Sequence, residues 1–368
     1  MKSRLLLSAV ALGLIAGCGG PAVTPEEEKV LFVYNWSDYI AEDTIARFEQ
    51  ETGIKVTYDV FDSNEVLEAK LMAGNTGYDI VVPSLSFLGR QVMAGAFQPL
   101  DRSKLGNYGN LDSSLMQRIA QIDPDNLHSV PYLWGTTGIG YNVGKIAEVL
   151  GEDYQVSSWE LIFNPEYAAK IAECGLVMLD APSEMLPIAL HYLGEDPNSF
   201  DEAVIRKGEA LLLSIRPHIR YFHSSQYIND LANGDVCVAV GWSGDVFQAS
   251  DRAAEADNGV EVDYVIPVEG APMWFDMLAV PKDAKHPNNA HRFIDFLMRP
   301  EVIADVSNYV AYASGNAAAL ELVDAEVRDN PGVYPPEDVM AKLYTLKVLP
   351  AEVDRIYNRV WTTVRTGQ

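Results

Sequence analysis

Short apolar runs alternate with helical patterns through the first hundred residues, and this alternation restricts the fold more than any other feature. The predicted strands and helices follow one another at 30–33, 41–52, 55–61, 64–73, 78–83 and 87–94. Strand–helix–strand alternation predicts a parallel sheet covered by helices, with right-handed crossovers. Residues 145–245 show the same alternation of predicted strands and helices. The sequence therefore predicts an α/β protein.

The chain has 368 residues, which is enough for two domains with their own hydrophobic cores. An apolar strand pattern at 129–134 leads into the small residues of 135–142. Small, flexible residues beside such a strand are typical of a chain that crosses between two lobes. The glycine spacing in this segment does not fit a dinucleotide-binding loop, and no long helix follows it.

The first twenty residues have the pattern of an export signal. A basic start precedes an apolar segment at 5–15 that is too short to span a bilayer, and small residues stand directly before Cys18. This ending is similar to a bacterial lipobox, in which the cysteine is lipidated. The alternative is an ordinary signal peptide with a chance cysteine. We expect residues 1–18 to be a lipoprotein-type signal peptide and residues 19–28 to be a tether.

Export to the periplasm is expected under either interpretation of the N-terminus. The mature sequence has no other hydrophobic run long enough for a membrane helix. We therefore expect membrane association only through a lipid on Cys18.

Two further cysteines, Cys174 and Cys237, lie in the mature sequence. A pair of cysteines in an oxidising compartment favours one disulfide, and the alternative is two buried thiols. A catalytic cysteine is disfavoured because neither residue has a histidine close in sequence.

The charge of the chain excludes some partners. The formal net charge is −25, which argues against binding to nucleic acid or to an anionic membrane. Such a charge is compatible with a cationic ligand, although simple solubility explains it as well.

Aromatic and acidic residues recur together where predicted strands end or begin. Ligands of open α/β sheets bind outside the carboxyl ends of the strands, so these positions are candidates for a binding site. The tryptophans are Trp36, Trp242 and Trp274, the carboxylates are Asp38, Glu184, Asp245 and Asp276, and the tyrosines include Tyr39 and Tyr312. Ser84 lies at the end of the third predicted strand.

This combination suits a linear polyamine. Each ammonium group needs an ionised acceptor, and indole faces pack against the methylene chain and attract the cation. Clustered carboxylates repel one another when the site is empty, and a dication relieves that repulsion. For any single position the alternative is ordinary: a tryptophan at a strand end is often core packing, and an aspartate is often a helix cap.

Catalytic patterns are scarce in the sequence. The Gly-x-Ser-x-Gly pattern is absent around Ser86 and Ser243, and there is no phosphate-binding loop or histidine-based zinc motif. We expect no enzyme activity, no metal and no cofactor. The alternative from the enzyme class is cleft chemistry with a cysteine or carboxylate nucleophile.

Five segments of the chain resemble bacterial polyamine-binding proteins that feed ABC transporters, most closely the putrescine-binding branch and next the spermidine binders. They are 33–40, 58–65, 138–142, 221–235 and 330–336. The resemblance extends over nearly the whole mature chain. It implies a type II periplasmic-binding-protein fold with two lobes, each a mostly parallel sheet covered by helices, and a ligand cleft between them.

The resemblance also implies how the chain is divided and what it does. The first lobe is expected at 28–137 plus about 270–315, and the second at 138–269 plus about 316–368. A monomer would capture putrescine or spermidine and deliver it to an inner-membrane ABC permease and its ATPase. The alternative output is a polyamine sensor that signals to a membrane partner.

The ligand-binding residues implied by the resemblance come from both lobes. They are Trp36, Ser37, Asp38, Tyr39 and Ser84 from one lobe, Glu184, Trp242 and Asp245 from the other, and Trp274, Asp276 and Tyr312. Asp276 would hold one terminal ammonium, and Glu184 and Asp245 would hold the other, directly or through water. The family also pairs cysteines that match Cys174 and Cys237.

The length of the ligand is left open by the resemblance. Ser37, Asp38, Ser86 and Ala181 resemble the putrescine branch. Trp274 instead resembles the spermidine binders, because putrescine binders typically have phenylalanine there.

Overall fold

The computed structural model describes residues 27–367, and these residues form an α/β protein with one extended, curled sheet. The predicted signal peptide and Cys18 lie outside the described residues, as does most of the predicted tether. The strands are β1 Val30–Trp36, β2 Lys55–Phe61, β3 Ile80–Val81, β4 Ser129–Asn142, β5 Leu176–Met178, β6 Ile219–Phe222, β7 Val238–Trp242, β8 Val262–Val265, β9 Pro272–Ala279, β10 Ala313–Ser314 and β11 Tyr344–Thr345.

Helices cover both faces of this sheet. In the first half of the chain they are α1 Thr44–Thr52, α2 Asn64–Ala73, α3 Leu85–Met93, α4 Ser113–Ile119, α5 Val143–Leu150, α6 Glu160–Phe163, α7 Pro165–Ala172 and α8 Pro182–Tyr192. In the second half they are α9 Glu202–Ile215, α10 Gln226–Ala232, α11 Ser243–Ala256, α12 Pro287–Leu297, α13 Pro300–Val310, α14 Ala325–Arg328, α15 Glu337–Met340 and α16 Ala351–Thr366. Within the described part of the chain, no helix is both long enough and apolar enough to cross a bilayer.

The predicted β-α-β-α-β unit at the start of the chain is confirmed. β1 pairs in parallel with β2 and β3, and β5 pairs in parallel with β6 and β7 in the second region. The third predicted strand is much shorter than expected and keeps only Ile80–Val81. The centre of the sheet differs from a purely parallel one, because β4 is antiparallel to β7, β8 and β9.

β4 joins the two halves of the sheet as one continuous strand of 14 residues. Its first half pairs with β9, from Ser129 to Thr136, and its second half pairs with β7 and β8. The predicted crossing segment is therefore a regular strand. A side chain at Gly135 would come within 2.9 Å of Trp274 and Tyr312, so glycine is needed where the strand passes between these rings.

Two hydrophobic cores lie along the two halves of β4, one at each half. The first draws its buried residues from 31–133 and 273–323, and the second draws them from 139–271 and 353–364. Trp36 and Tyr312 belong to the first core, and Trp242 packs against both. This arrangement brings the last residues of β1 and β7 close to the first residues of β9, between the two cores.

The predicted disulfide is confirmed. Cys174 and Cys237 are bonded, with a Cα–Cα distance of 5.5 Å, and the bridge ties the end of α7 to the beginning of β7. The alternative of two buried thiols is wrong.

Candidate functional site

A pocket lies where the two cores face each other. Most of its walls lie at or near the ends of strands and helices, as the strand-end rule predicts, whereas Asp276 lies inside β9. The residues that line it are Trp36, Ser37, Tyr39, Ser84, Glu184, Trp242, Asp245, Trp274, Asp276 and Tyr312. Ten of the eleven residues that the sequence implied therefore come together in one place.

Aromatic rings form the walls of this pocket and meet edge to face. Trp242 lies between two other tryptophans, with ring centroids 5.4 Å from Trp36 and 6.5 Å from Trp274. Tyr312 continues the wall, 5.4 Å from Trp274 and 5.2 Å from Tyr39. Edge-to-face packing fixes the ring orientations, so the faces are set before a ligand arrives. A cation between them would be attracted by the ring faces, by about 0.5–2 kcal/mol for each ring.

Asp276 is the most deeply buried carboxylate of the site, at 3% exposure. The Ser84 hydroxyl donates to it over 2.6 Å, and Asn64 in turn holds Ser84 through two hydrogen bonds. Burial raises the pKa of Asp276 to about 7, and the nearby Ser84 and Tyr39 hydroxyls offset part of the rise. Among the described residues, the buried Tyr39 hydroxyl has no hydrogen bond of good geometry. It is a donor or acceptor that a ligand can use.

Glu184 lies in the first turn of α8 and is also buried. The Trp242 indole N–H donates to both of its carboxylate oxygens, over 3.1 and 3.2 Å, and the Thr137 hydroxyl donates to one of them. Burial raises the pKa of Glu184 to about 7, against the effect of these donors. The carboxylate is thus fixed in orientation, although little of its charge is compensated.

Asp245 is the third buried carboxylate of the pocket and lies in the first turn of α11. It accepts hydrogen bonds from the hydroxyls of Tyr227 and Tyr312, each over 2.7 Å. Burial raises the pKa of Asp245 to about 7. The position of Asp245 and Glu184 at helix N-termini favours their negative charge, since backbone N–H groups point toward them.

Asp38 is the one implied residue that does not line the pocket. Its backbone has φ of 53°, and its side chain accepts from Arg252 over 2.6 Å. Its backbone carbonyl accepts from Gln248 over 3.2 Å. Both partners lie on α11, so Asp38 connects the tip of β1 with the opposite side of the cleft at the rim.

Three residues around the site were not among the ligand-binding residues expected from the sequence. The Thr137 hydroxyl connects two residues of the pocket. It accepts from the Trp274 indole N–H over 3.2 Å and donates to the Glu184 carboxylate. Tyr227 lies on α10 and reaches Asp245 from behind. Glu65 accepts from Ser183 over 3.1 Å across the cleft, and burial raises its pKa to about 7. The alternation of β4 was the only signal for Thr137, because it places alternate side chains on the pocket side.

Replacing Thr137 by valine is expected to weaken the binding of a cationic ligand about tenfold, because a hydrogen bond to a charged group is worth about 1.5–3 kcal/mol. Valine keeps the shape of the side chain and removes the hydroxyl that holds both Glu184 and Trp274. Titration calorimetry measures the change in affinity. Thr57→Val is the matched control, since Thr57 is exposed on β2. Equal affinity of both variants would contradict the positioning role of Thr137.

The chemistry of the pocket is that of cation recognition. Three carboxylates with raised pKa values face a space walled by aromatic rings, and no basic side chain lines it. Within residues 27–367, no group of three or more histidine, cysteine or acidic side chains is arranged to hold a metal ion. A ligand with separated ammonium groups and an apolar connection would satisfy both parts of the surface.

Known proteins resemble this chain over almost its whole length. Residues 43–335 match the bacterial extracellular solute-binding protein family. The putrescine-binding periplasmic protein PotF of Escherichia coli is 58% identical, over 98% of this chain and 96% of that protein. The putrescine-binding periplasmic protein SpuD of Pseudomonas aeruginosa is 52% identical, over 99% of this chain and 98% of that protein.

A solved structure shows the same architecture. It is the spermidine/putrescine ABC transporter substrate-binding protein PotD of Streptococcus pneumoniae, which is 29% identical and superposes with a TM-score of 0.73, over 92% of this chain and 99% of that one. The two-lobed type II periplasmic-binding-protein fold expected from the sequence is confirmed. The chain belongs to the bacterial extracellular solute-binding protein family.

Proposed function

We propose that this protein is an exported receptor that captures a polyamine, putrescine first, and delivers it to an ABC importer in the inner membrane. The observation that carries this proposal is the group of three buried carboxylates inside a wall of aromatic rings. Each carboxylate has a pKa raised to about 7, so an empty site holds protons or unrelieved charge. A dication removes that penalty, whereas a neutral ligand does not.

In this proposal Asp276 binds one terminal ammonium, with Ser84 and Tyr39 beside it. Glu184 and Asp245 bind the other ammonium, directly or through water. The tryptophans pack against the methylene chain between them. The names of PotF and SpuD as putrescine binders support this ligand class.

The two lobes are proposed to close over the ligand, with β4 as one of the strands that cross between them. The first lobe would comprise 28–137 plus about 270–315, and the second 138–269 plus about 316–368. The two hydrophobic cores support this division with two exceptions: Ala271 packs in the second core, and residues as late as Met340 pack in or against the first. We therefore place the last boundary after Met340.

The remaining parts of the proposal concern location and partners. The protein would act as a monomer in the periplasm, with a lipid on Cys18 holding it to a membrane. It would present the loaded, closed form to a permease and its ATPase, and no residue would make or break a covalent bond. The periplasmic names of PotF and SpuD support the compartment.

Titration calorimetry of the protein, purified without refolding, with putrescine, cadaverine and spermidine tests the proposal. At least one polyamine is expected to bind with a micromolar or lower Kd. Butylamine is the matched ligand control, because it keeps four carbons and loses one ammonium, and it is expected to bind at least about a hundredfold more weakly. No binding of any of the three polyamines would overturn the proposal.

A further inference from the structure

An arginine outside the pocket connects the two sides of the cleft. Arg90 lies near the end of α3 and does not line the site. Its guanidinium binds Glu68 of α2 with two N–H groups, one of them over 2.5 Å, and donates to Asp354 of α16 over 2.8 Å. The face of the guanidinium lies 4.2 Å from the ring of Phe87. Three of the five N–H donors of its planar fork are therefore bound by protein carboxylates, which fixes its orientation.

The two carboxylates bound by Arg90 belong to different packed units. α3 contributes Leu85 and Leu88 to the first core, whereas α16 contributes Val353 and Tyr357 to the second. Asp354 follows Val353 directly, 264 residues away from Arg90. In this arrangement the ion pair therefore joins a helix of the first core to a helix of the second core.

Arg90, Glu68 and Asp354 form a charged triad. Its partial burial makes the contact between Arg90 and Asp354 stronger than an ordinary surface ion pair. The side chains of Arg90, Glu68 and Asp354 are 15%, 20% and 29% exposed. Exposed ion pairs contribute little to stability, whereas charge-assisted bonds that are partly desolvated and geometrically fixed contribute more. Glu68 holds the guanidinium in place before closure, so little side-chain entropy is lost when Asp354 arrives.

The triad lies near a second contact between the two cores, the hydrogen bond between Ser183 and Glu65, which is next to the pocket. One helical turn before Glu68, Glu65 accepts from Ser183, the residue directly before Glu184. α2 thus meets the N-terminus of α8 and, through Arg90, reaches α16. The contact of Asp38 with α11 is separate, since it involves the tip of β1 and Arg252.

We propose that Arg90, held by Glu68 and bound to Asp354, is a positioning residue that sets ligand affinity by stabilising the closed arrangement of the lobes. It does not touch the ligand. A contact present only in the closed state shifts the population toward that state, and it lowers the apparent Kd of every ligand by the same factor. The effect on affinity rests on the proposed ligand, and the effect on closure rests on the proposed movement of the lobes alone.

Asp354→Asn is the primary test, because it removes the contact between the cores and leaves Arg90 bound to Glu68. Kd for putrescine and cadaverine is expected to rise about 5- to 10-fold, with an unchanged ratio between the two ligands and with most of the change in the dissociation rate. Arg90→Met is the second variant, since methionine keeps packing against Phe87. The double variant should bind no more weakly than Arg90→Met alone.

Asp305→Asn is the matched control. Asp305 accepts from Arg47 over 2.5 Å, but α1 and α13 both pack in the first core, so that pair does not cross the cleft. Its Kd is expected to stay within about twofold of the parent value, as for other exposed pairs.

Two further measurements separate a closure role from a merely structural one. Small-angle X-ray scattering of the ligand-free protein is expected to show a larger radius of gyration for Asp354→Asn than for the parent and for Asp305→Asn. The rise in melting temperature on adding putrescine is expected to be smaller in Asp354→Asn. Unchanged Kd together with an unchanged radius of gyration would overturn the proposal, and so would an equal loss of melting temperature in the empty and loaded forms. If the parent bound no polyamine, the scattering comparison would still decide the closure role.

Discussion

Asp276→Asn is expected to weaken putrescine binding on the order of 10²- to 10³-fold, because removing one member of a buried, hydrogen-bonded charge pair costs about 2–5 kcal/mol. Asparagine is almost isosteric and can still accept from Ser84, so the pocket keeps its shape. The loss would come from the missing negative charge opposite the ammonium. Titration calorimetry, with competition by a weaker amine where binding is tight, measures the change.

The behaviour of the empty variant distinguishes a ligand-binding role from a structural one. Burial raises the pKa of Asp276 to about 7, which means that its ionised form is unfavourable in the empty protein. Asp276→Asn is therefore expected to leave the melting temperature of the empty protein equal to or above the parent value at pH 8. Asp263→Asn is the control, since Asp263 is exposed and, among the described residues, accepts only from the Tyr141 hydroxyl and the Tyr264 backbone N–H. A change in affinity below about tenfold, or equal effects in both variants, would show that Asp276 does not carry the ammonium.

Lowering the pH from 8 to 6 is expected to weaken putrescine binding by about 10²-fold or more, because several carboxylates must lose protons before they accept ammonium groups. Burial raises the pKa values of Glu184, Asp245 and Asp276 to about 7, so at pH 6 most of these groups hold protons in the empty site. Primary alkyl amines have pKa values near that of lysine, about 10, so the ligand stays a dication over this range. The three groups titrate as a coupled set, and the affinity reports their sum.

The change of folding stability with pH has opposite signs in the empty and the loaded protein. Unfolded carboxyl groups have pKa values of about 4, so between about pH 4 and pH 7 the folded empty site binds more protons than the unfolded chain. Stability of the empty protein from these groups is therefore present at low pH and lost as the pH rises toward 7. With putrescine bound, the carboxylates are ionised, and the added stability grows as the pH rises.

Calorimetry at pH 6, 7 and 8 in two buffers with different ionisation enthalpies measures both the affinity and the number of protons released. Near pH 6, proton release on binding is expected, and the variant Asp276→Asn should release fewer protons than the parent. A pH-independent Kd without proton release would contradict the assignment of raised pKa values to the empty site.

The sequence predicted the walls of the pocket because aromatic and acidic residues stand together near strand ends. Trp36 and Trp242 end strands, as the rule for parallel strands expects. Trp274 lies near the start of β9 and reaches the same place because β9 runs antiparallel to β3. The disulfide between Cys174 and Cys237 could also be predicted, because the two cysteines of the mature sequence either pair with each other or remain thiols.

Contacts set by local backbone conformation or by distant packing could not be predicted in this way. Asp38 adopts a left-handed backbone conformation, which turns its side chain toward Arg252 and out of the pocket. Thr137 takes part in the site only because β4 runs straight through both halves of the sheet. The Arg90–Asp354 pair joins residues 264 positions apart, and no local pattern marks either of them.

The way in which the two cores share the chain has a consequence for biosynthesis. The first core needs residues as late as Val323, and the second needs Val364 of α16. Domains generally fold from the N-terminus as the chain emerges, provided that all their parts have been made. Here neither core can be completed until nearly the whole polypeptide exists, so neither can finish folding early in synthesis.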